Sequence, residues 1–280
     1  MSDPLVDIAW LLEHLQDPDV VVAEVCWTPA GSSRELYEQG HLPGAVFLDV
    51  DVDLAAPPGS GPGRHPIPSP PSFAATMGAT GIRNTDLVVA YDRQGGSLAA
   101  RLWWMLDVTG HRAAVLDGGL DAWTGVPETG AVGLKPASFE ERPWPSRRVI
   151  DAEGVTRAIA TRTAVVLDAR VEERYRGEVE PIDPVGGHVP GALSAPWVDN
   201  LDPAGRFLPA AALRERFVRL GVREGKPVVC YCGSGVTSCH DVLALELAGL
   251  GEAMLYEGSW SDWCSDPKRP VARGPGSRGD

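Results

Sequence analysis

Two tandem α/β domains, each a mainly parallel sheet flanked by helices on both faces, are what this sequence predicts. Three observations lead there: the chain repeats itself once, each repeat alternates short apolar strands with helical patterns, and the length suits two domains. At 280 residues the chain is well beyond the roughly 100–150 residues at which single domains cluster. "DVVVAEV" (19–25) parallels "TAVVLDA" (163–169), and "GHLPGAV" (40–46) parallels "GHVPGAL" (187–193). "GIRNTDLVVAYD" (81–92) parallels "GVREGKPVVCYC" (221–232), and "VLDGGLDAW" (115–123) parallels "LYEGSWSDW" (255–263). Offsets of 140 to 147 residues in an unchanged order mark a duplicated domain.

Each repeat reads as helix, buried β-branched strand, turn, strand-like segment, helix, strand, small-residue loop, helix, strand, turn and helix. Apolar strands alternating with helices require a parallel sheet covered on both faces. The first strand ends in an acid in both repeats, Glu24 and Asp168, so the expected role is bracing loops. His41 and His188 open the paired H-x-Pro-Gly-Ala turns, where the ring is expected to hold backbone carbonyls. We place an N-terminal domain at 1–130, a polar, Pro-rich linker at 131–149, a C-terminal domain at 150–270 and a tail at 271–280. From Asp266 onward there is no apolar period, which predicts an extended or disordered end.

Composition narrows the function classes. A hydrophobic fraction of 44% with 22% charge supports a buried core, and no window nears the roughly 20 apolar residues of a membrane span. The acidic N-terminal stretch has no basic region of a signal peptide, so a cytoplasmic location is the expectation. Five cysteines, an odd count, point to reduced thiols rather than a disulfide framework. A net charge of −13 disfavours nucleic acid and anionic membranes as partners.

Three of the five cysteines lie in "VVCYCGSGVTSCHDVLALELAGL" (228–250). The pattern predicts a buried strand through Tyr231, a loop "CGSGVT", and a helix ended by glycine. Cys232 then stands at the strand-to-helix turn. Gly233, Ser234 and Gly235 are small enough to turn successive N–H groups inward, Val236 and Thr237 complete the expected binding loop, and the helix N-terminus adds its positive end. Such a cradle favours a thiolate, a persulfide or a bound oxyanion. A zinc site would need four soft ligands, and Cys230 with Cys232 has the wrong spacing and no second pair. A Cys-x-x-Cys redox motif is missing, although Cys232 and Cys239 could close an oxidative bridge. A cysteine phosphatase would need arginine six residues after the nucleophile, where this chain has Ser238. The first repeat has Asp92 in place of Cys232, so the architecture holds a similar loop without a thiol.

Taken together, "GHLPGA", "GHVPGA", "LDARVEERYRGEVEP" (167–181), "CGSGVT" and "LYEGSWSDW" resemble the tandem-domain rhodanese sulfurtransferases over nearly the whole chain. The resemblance implies that Cys232 is a nucleophile that takes sulfane sulfur from a small donor, becomes a persulfide, and passes the sulfur to cyanide or a thiol. It implies a silent N-terminal domain and no metal or organic cofactor, and it admits a thioredoxin-like reductant as thiol partner. The neutral "CGSGVT" loop is similar to that of the mercaptopyruvate enzymes, thiosulfate being the alternative donor. In them a loop serine works with a histidine and an aspartate, which match Ser234, His65 and Asp51. Two arginines grip the donor's carboxylate in that family: Arg174 matches the first, Ile182 stands where the second would be, and Arg176 is the nearest basic residue.

Several residues read more simply as packing. His240 and Cys239 lie inside the helix, and Trp103, Trp104, Trp123, Trp260 and Trp263 are apolar anchors, with Trp260 also near enough to wall a pocket. A non-enzymatic module using the cradle to hold an anion or a protein thiol is the alternative from another class. It would tolerate Cys232→Ser, and an enzyme would not.

Overall fold

The fold follows from two sheets with the same strand plan. The computed structural model describes residues 3–29 and 33–276, and the chain divides into two compact units. The first holds β1 (Leu5–Val6), α1 (Ile8–His14), β2 (Val20–Cys26), α2 (Arg34–Gln39), β3 (Val46–Asp49), α3 (Pro70–Thr80), β4 (Leu87–Tyr91), α4 (Ala99–Val108) and β5 (Arg112–Leu116). The second holds β6 (Val149–Ile150), α5 (Ala152–Ala160), β7 (Val165–Asp168), α6 (Glu172–Arg176), β8 (Leu193–Ser194), α7 (Ala210–Arg219), β9 (Val228–Tyr231), α8 (Ser238–Leu247), β10 (Met254–Tyr256) and α9 (Ser259–Trp263). Their strand orders, β1-β5-β4-β2-β3 and β6-β10-β9-β7-β8, are the same permutation, and every ladder is parallel. The duplicated α/β architecture expected from the repeats is therefore present.

The apolar strands explain why both faces must be covered. All of β4 and all of β9 are buried, so neither face of the central strand can meet water. α4 and α8 are almost wholly buried as well, and Trp103 and Trp104 are at most 1% exposed, each contributing several kcal/mol of apolar burial at roughly 25 cal/mol per Å². Asp7 and Asp151 cap the first helix of each unit by accepting from Trp10 N and Gly154 N, the usual N-cap chemistry. In each unit, the tyrosine ending the central strand accepts from the H-x-Pro-Gly turn: Tyr91 Oη from Leu42 N at 3.0 Å and Tyr231 Oη from Val189 N at 3.1 Å.

Local details depart from the sequence reading. β1 and β6 are two-residue edge strands and α6 spans five residues, too short to leave a period. The last helix of the first repeat is a single 3-10 turn, Gly119–Ala122. The stretch read as a linker is folded onto the first unit: Ala137 N donates to Gly78 O, Trp144 Nε1 donates to Pro68 O, and Phe139 stacks on His111. Its polar composition hid these few aromatic anchors. The tail is paired as far as it is described, since His188 and Ala272 exchange both backbone hydrogen bonds, while 277–280 lie outside the described residues.

Boundaries of the compact units do not follow the sequence midpoint. Residues 58–66, from the N-terminal repeat, belong to the second unit, and 203–206 belong to the first. The segment 58–66 is fastened to α9, because Arg64 N donates to Ser261 Oγ at 3.0 Å. Gly63, at φ +74°, lies so near that a Cβ would fall 2.4 Å from Gly258 O, and only glycine tolerates both conditions. Among the described residues no helix is long and apolar enough to cross a membrane.

Candidate active site

β9 is the middle strand of its sheet, flanked by β10 and β7. The chain order reverses there, and the crevice beyond the carboxyl ends of strands at such a switch point is where open α/β sheets bind ligands. Cys232 follows the last residue of β9. The loop Cys232–Thr237 then enters α8, a ten-residue helix whose N-terminal N–H groups face the turn. Gly235 has φ +80°, and a Cβ there would stand 2.4 Å from Glu257 O, so the tight curl of the loop requires glycine.

Cys232 is 1% exposed. Burial alone pushes a thiol up, but the hydroxyls of Ser238 and Thr237 and the N–H groups of Ser234 and Ser238 outweigh it, and the thiol is held below its ordinary range. Cys230 sits two residues earlier on the strand, and burial pushes its thiol well up. Cys26 and Cys264 are raised by burial too. All five cysteines are free and buried, and burial raises the thiols of Cys26, Cys230 and Cys264 where the donors around Cys232 hold its thiol down. Among the described residues no three or more His, Cys, Asp or Glu side chains are grouped to hold a metal ion.

Beneath the loop, Cys232 N donates to Ser259 Oγ at 3.1 Å and Ser259 Oγ donates to Tyr256 O at 2.9 Å. Trp260 N donates to Cys232 O at 2.9 Å. Ser259 has φ +54°, a strained conformation for a residue with a Cβ. Its counterpart in the first repeat is Gly119, at the same φ of +54°. The second unit thus carries the cost of a serine in a glycine position, and the hydroxyl obtained supports the backbone of Cys232.

Ser234 and His65 meet directly, Nδ1 to Oγ at 2.7 Å, and both are buried. Asp51 belongs to the first unit, where it is exposed and accepts from Trp27 Nε1 at 3.1 Å. Arg174 extends from α6 toward the loop: a Cβ on Gly233 would stand 3.6 Å from both of its Nη atoms. Glu180 accepts from Arg174 at 2.7 Å and Asp183 accepts at 3.3 Å. Burial works against the charge of Glu180, but Arg174 and the N–H groups of Asp183 and Ile182 prevail and hold its carboxyl below the usual range. Arg176 turns to Glu172 and Glu178 instead. A second guanidinium does stand at the loop, but it is Arg64, with Nη2 3.3 Å from the same Gly233 position and Nη1 2.6 Å from Asp183 Oδ1. Arg64 is adjacent to His65 in the sequence, and only its place outside any helix or strand pattern kept it from notice.

The residues read as packing are packed. His240 stacks on Phe207 at 4.3 Å and its Nδ1 meets Asn200 Nδ2 at 3.1 Å. Trp260 donates to Val185 O and lies under Arg170. Cys239 donates to Gly235 O. His41 and His188 hold carbonyls of Leu42, Gly130 and Tyr175. Asp168 grips Arg170, and Glu24 grips Arg93.

The first unit shows what the cradle does. Asp92 Oδ1 accepts from the N–H groups of Gln94 and Gly96 at 2.8 Å, and Oδ2 accepts from Leu98 at 2.7 Å and Ala99 at 2.9 Å. Donors at two and six residues beyond Asp92 recur beyond Cys232 as Ser234 and Ser238. The same loop thus stands at the end of the central strand in both units, holding a carboxylate in the first and a thiol in the second. The model of the rhodanese-like domain matches this chain over residues 7–125 and again over 151–266. The chain belongs to the rhodanese family. Its relatives include a probable 3-mercaptopyruvate sulfurtransferase of Pseudomonas aeruginosa, 45% identical over 98% of this chain and 99% of that one. A putative thiosulfate sulfurtransferase of Mycobacterium tuberculosis is 40% identical over 96% of this chain and 97% of that one. Among solved rhodanese structures, the 3-mercaptopyruvate enzyme SseA of Escherichia coli superposes with a TM-score of 0.82 at 32% identity, covering 93% of this chain and 100% of that one.

Proposed function

We propose that this sulfurtransferase carries sulfur on Cys232 as a persulfide, with 3-mercaptopyruvate as donor and cyanide or a thiol, including a thioredoxin-like dithiol, as acceptor. The observation that carries the reading is a buried sulfur whose thiol is held down by hydroxyl and backbone donors, next to the Ser234–His65 pair. The relatives named as 3-mercaptopyruvate sulfurtransferases support the choice of donor.

In the first half-reaction the Cys232 thiolate attacks the donor's sulfur. An S–S bond forms, the donor's C–S bond breaks, and its electron pair leaves on carbon as the enolate of pyruvate. That carbon needs a proton, and the proton released from the donor's thiol reaches it through Ser234 Oγ and His65. In the second half, the acceptor attacks the outer sulfur and restores the thiolate, so ping-pong kinetics follow. The loop N–H groups stabilise the sulfur anion in both states. Thiosulfate is the second donor, supported by the Mycobacterium tuberculosis relative and by the cationic groups beside Gly233. Its leaving group is sulfite, which needs no proton at carbon.

Incubation with donor alone should leave the wild type heavier by one sulfur atom on intact mass, and Cys232→Ser should stay unmodified. An unmodified wild type with either donor overturns the persulfide mechanism. His65→Ala should lower turnover on mercaptopyruvate by about 10²-fold, the usual scale of general acid–base assistance, and turnover on thiosulfate far less. Equal losses on the two donors would remove the proton relay from the mechanism.

A further inference from the structure

We propose that the second unit carries a docking groove, at the end of its sheet away from Cys232, for the acidic carboxyl-terminal segment of a partner protein with one aliphatic side chain. Ile159, Arg162, Val165, Val166, Leu193 and Lys226 line this groove. Ile159 and Arg162 come from the end of α5 and the turn after it, Val165 and Val166 open β7, Leu193 opens β8, and Lys226 precedes β9. β7 and β9 are parallel, and Cys232 follows the last residue of β9, so a peptide bound here leaves the sulfur uncovered.

The first unit shows what such a groove holds. Leu15, Pro18, Val21, Val22 and Asp86, the repeat counterparts of Ile159, Arg162, Val165, Val166 and Lys226, line a groove in the same place. That groove is completed by the chain's own segment 134–137, which is neither helix nor strand. A Cβ on Gly81 would stand 2.4 Å from Leu134 Cβ and 2.9 Å from Lys135 O, and Ala137 N donates to Gly78 O at 2.8 Å. In the second unit Gly221 repeats Gly81, with φ +91° against +90°, yet among the described residues nothing comes within 4 Å of a Cβ placed there. Equivalent walls are thus covered in one unit and open in the other.

Charge selects the occupant. In the first groove Asp86 is paired with Arg83 at 2.7 Å, so its charges balance internally. The second replaces Pro18 by Arg162 and Asp86 by Lys226, and no Asp or Glu is among its lining residues. Arg223, the counterpart of Arg83, donates to the carbonyls of Val218 and Val222 instead. Two exposed cations therefore stand at an apolar groove, a local reversal of sign on a chain of net charge −13, and such a patch attracts acidic segments. Arg162 is held at φ +56°, where glycine is favoured, and an exposed arginine kept at that cost points to a use for its side chain. Val218 replaces Gly78, where a Cβ would fall 2.6 Å from Ala137 O, so a chain that follows the path of Leu134 and Lys135 cannot continue along that of Ala137. A chain that ends there avoids Val218 and offers its terminal carboxylate to the cations. Residues 277–280, Ser-Arg-Gly-Asp, have no apolar side chain to match Leu134 and add a further cation, so the occupant belongs to a partner.

The test uses a fluorescein-labelled peptide, Gly-Ser-Gly-Leu-Glu-Asp with a free carboxyl end, titrated with the protein and read by anisotropy. Wild type should bind it, Arg162→Gly about threefold more weakly, and the double variant Arg162→Gly/Lys226→Glu at least about tenfold more weakly, the scale of exposed ion pairs with one charge reversed. Arg162→Gly also relieves the strained φ, so its thermal midpoint should not fall and its weaker binding is separated from a failure to fold. A peptide with serine for leucine, or with an amidated end, should each lose about threefold or more. Sulfur transfer to cyanide should stay within about twofold of wild type in both protein variants. No binding at about 1 mM peptide, or equal affinity in the double variant, overturns the groove. Equal affinity for the serine peptide reduces it to charge attraction and overturns it too, and equal affinity for the amide overturns the carboxyl-end assignment. Binding that appears only after residues 277–280 are removed assigns the groove to the chain's own end and overturns the partner.

Discussion

Ser259 and Gly119 occupy equivalent places with the same positive φ, and the difference between them is one hydroxyl that supports the N–H of Cys232. Ser259→Ala should be worse than Ser259→Gly. The alanine keeps the strained conformation, costing about 1–2 kcal/mol for a Cβ in the left-handed region, and loses the acceptor of a buried N–H, about 1–3 kcal/mol more. The glycine loses only the acceptor. Denaturant midpoints of the two variants check the order, and a glycine variant no more stable than the alanine one would show that φ is not strained. Asp241 is the other residue whose burial has a measurable consequence. Burial pushes its carboxyl up to about 7 from an ordinary 3.8, partly offset by Arg216 and by Asn200, which donates to Oδ1 at 2.7 Å. A folded value above the unfolded one means that its contribution is fully present below about pH 4 and is lost as pH rises toward 7. The stability of the wild type relative to Asp241→Asn should therefore fall between pH 4 and 7 by up to about 1.4 kcal/mol per unit. A stability difference between the two proteins that stays constant across that range would show that the buried acid does not titrate there.

At the scale of elements, the loop after the central strand is an anion cradle in both units. In the first it is filled by its own carboxylate, with four N–H groups on Asp92. Burial acts against that charge and raises the Asp92 carboxyl despite those donors. Asp92→Ala leaves the four donors without their acceptor and should destabilise the first unit by at least about 3 kcal/mol, counting about 1 kcal/mol or more for each donor that water fails to reach. Thermal unfolding of the variant reads this directly, and an unchanged midpoint would mean that the loop rearranges freely. The sequence made this loop visible through its small residues and its duplication, because glycine and serine at a strand-to-helix turn constrain the backbone locally.

At the scale of the whole molecule, the duplicated chain has two sheets of one topology, and only the second has a thiol at the end of its central strand. Adding a thiol to the first unit should not create a second centre. The first unit's loop has Gln94 where the second has Ser234, and His65 with Arg64 counts with the second unit. The double variant Asp92→Cys/Cys232→Ser should therefore transfer no sulfur and gain no sulfur adduct, as intact mass and a donor assay would read. A sulfur adduct at position 92 would mean that the cradle alone suffices. The two sheets also explain which elements were legible. β4 and β9 announced themselves as continuous apolar runs, whereas β1 and β6, two residues long, exist only because a neighbouring strand offers them a ladder. Phe139 and Trp144 fold a polar, Pro-rich stretch onto the first unit, an arrangement that composition could not reveal.

Repetition of motifs along the chain determined the duplicated parallel α/β fold, and the Cys-Gly-Ser-Gly stretch determined where the strand-to-helix loop and the proposed nucleophile stand, since hydrophobic period and turn chemistry are local properties. The H-x-Pro-Gly histidines and the acid at each strand end were legible for the same reason. Tertiary structure alone decided which distant side chains surround Cys232. It attached residues 58–66 to the second unit, brought His65 to Ser234, and set Arg64 beside Arg174 over Gly233. Those partners lie more than a hundred residues apart in sequence, where no periodicity links them. What joins them is long-range packing, the fit of Gly63 against Gly258 and the shared carboxylate of Asp183.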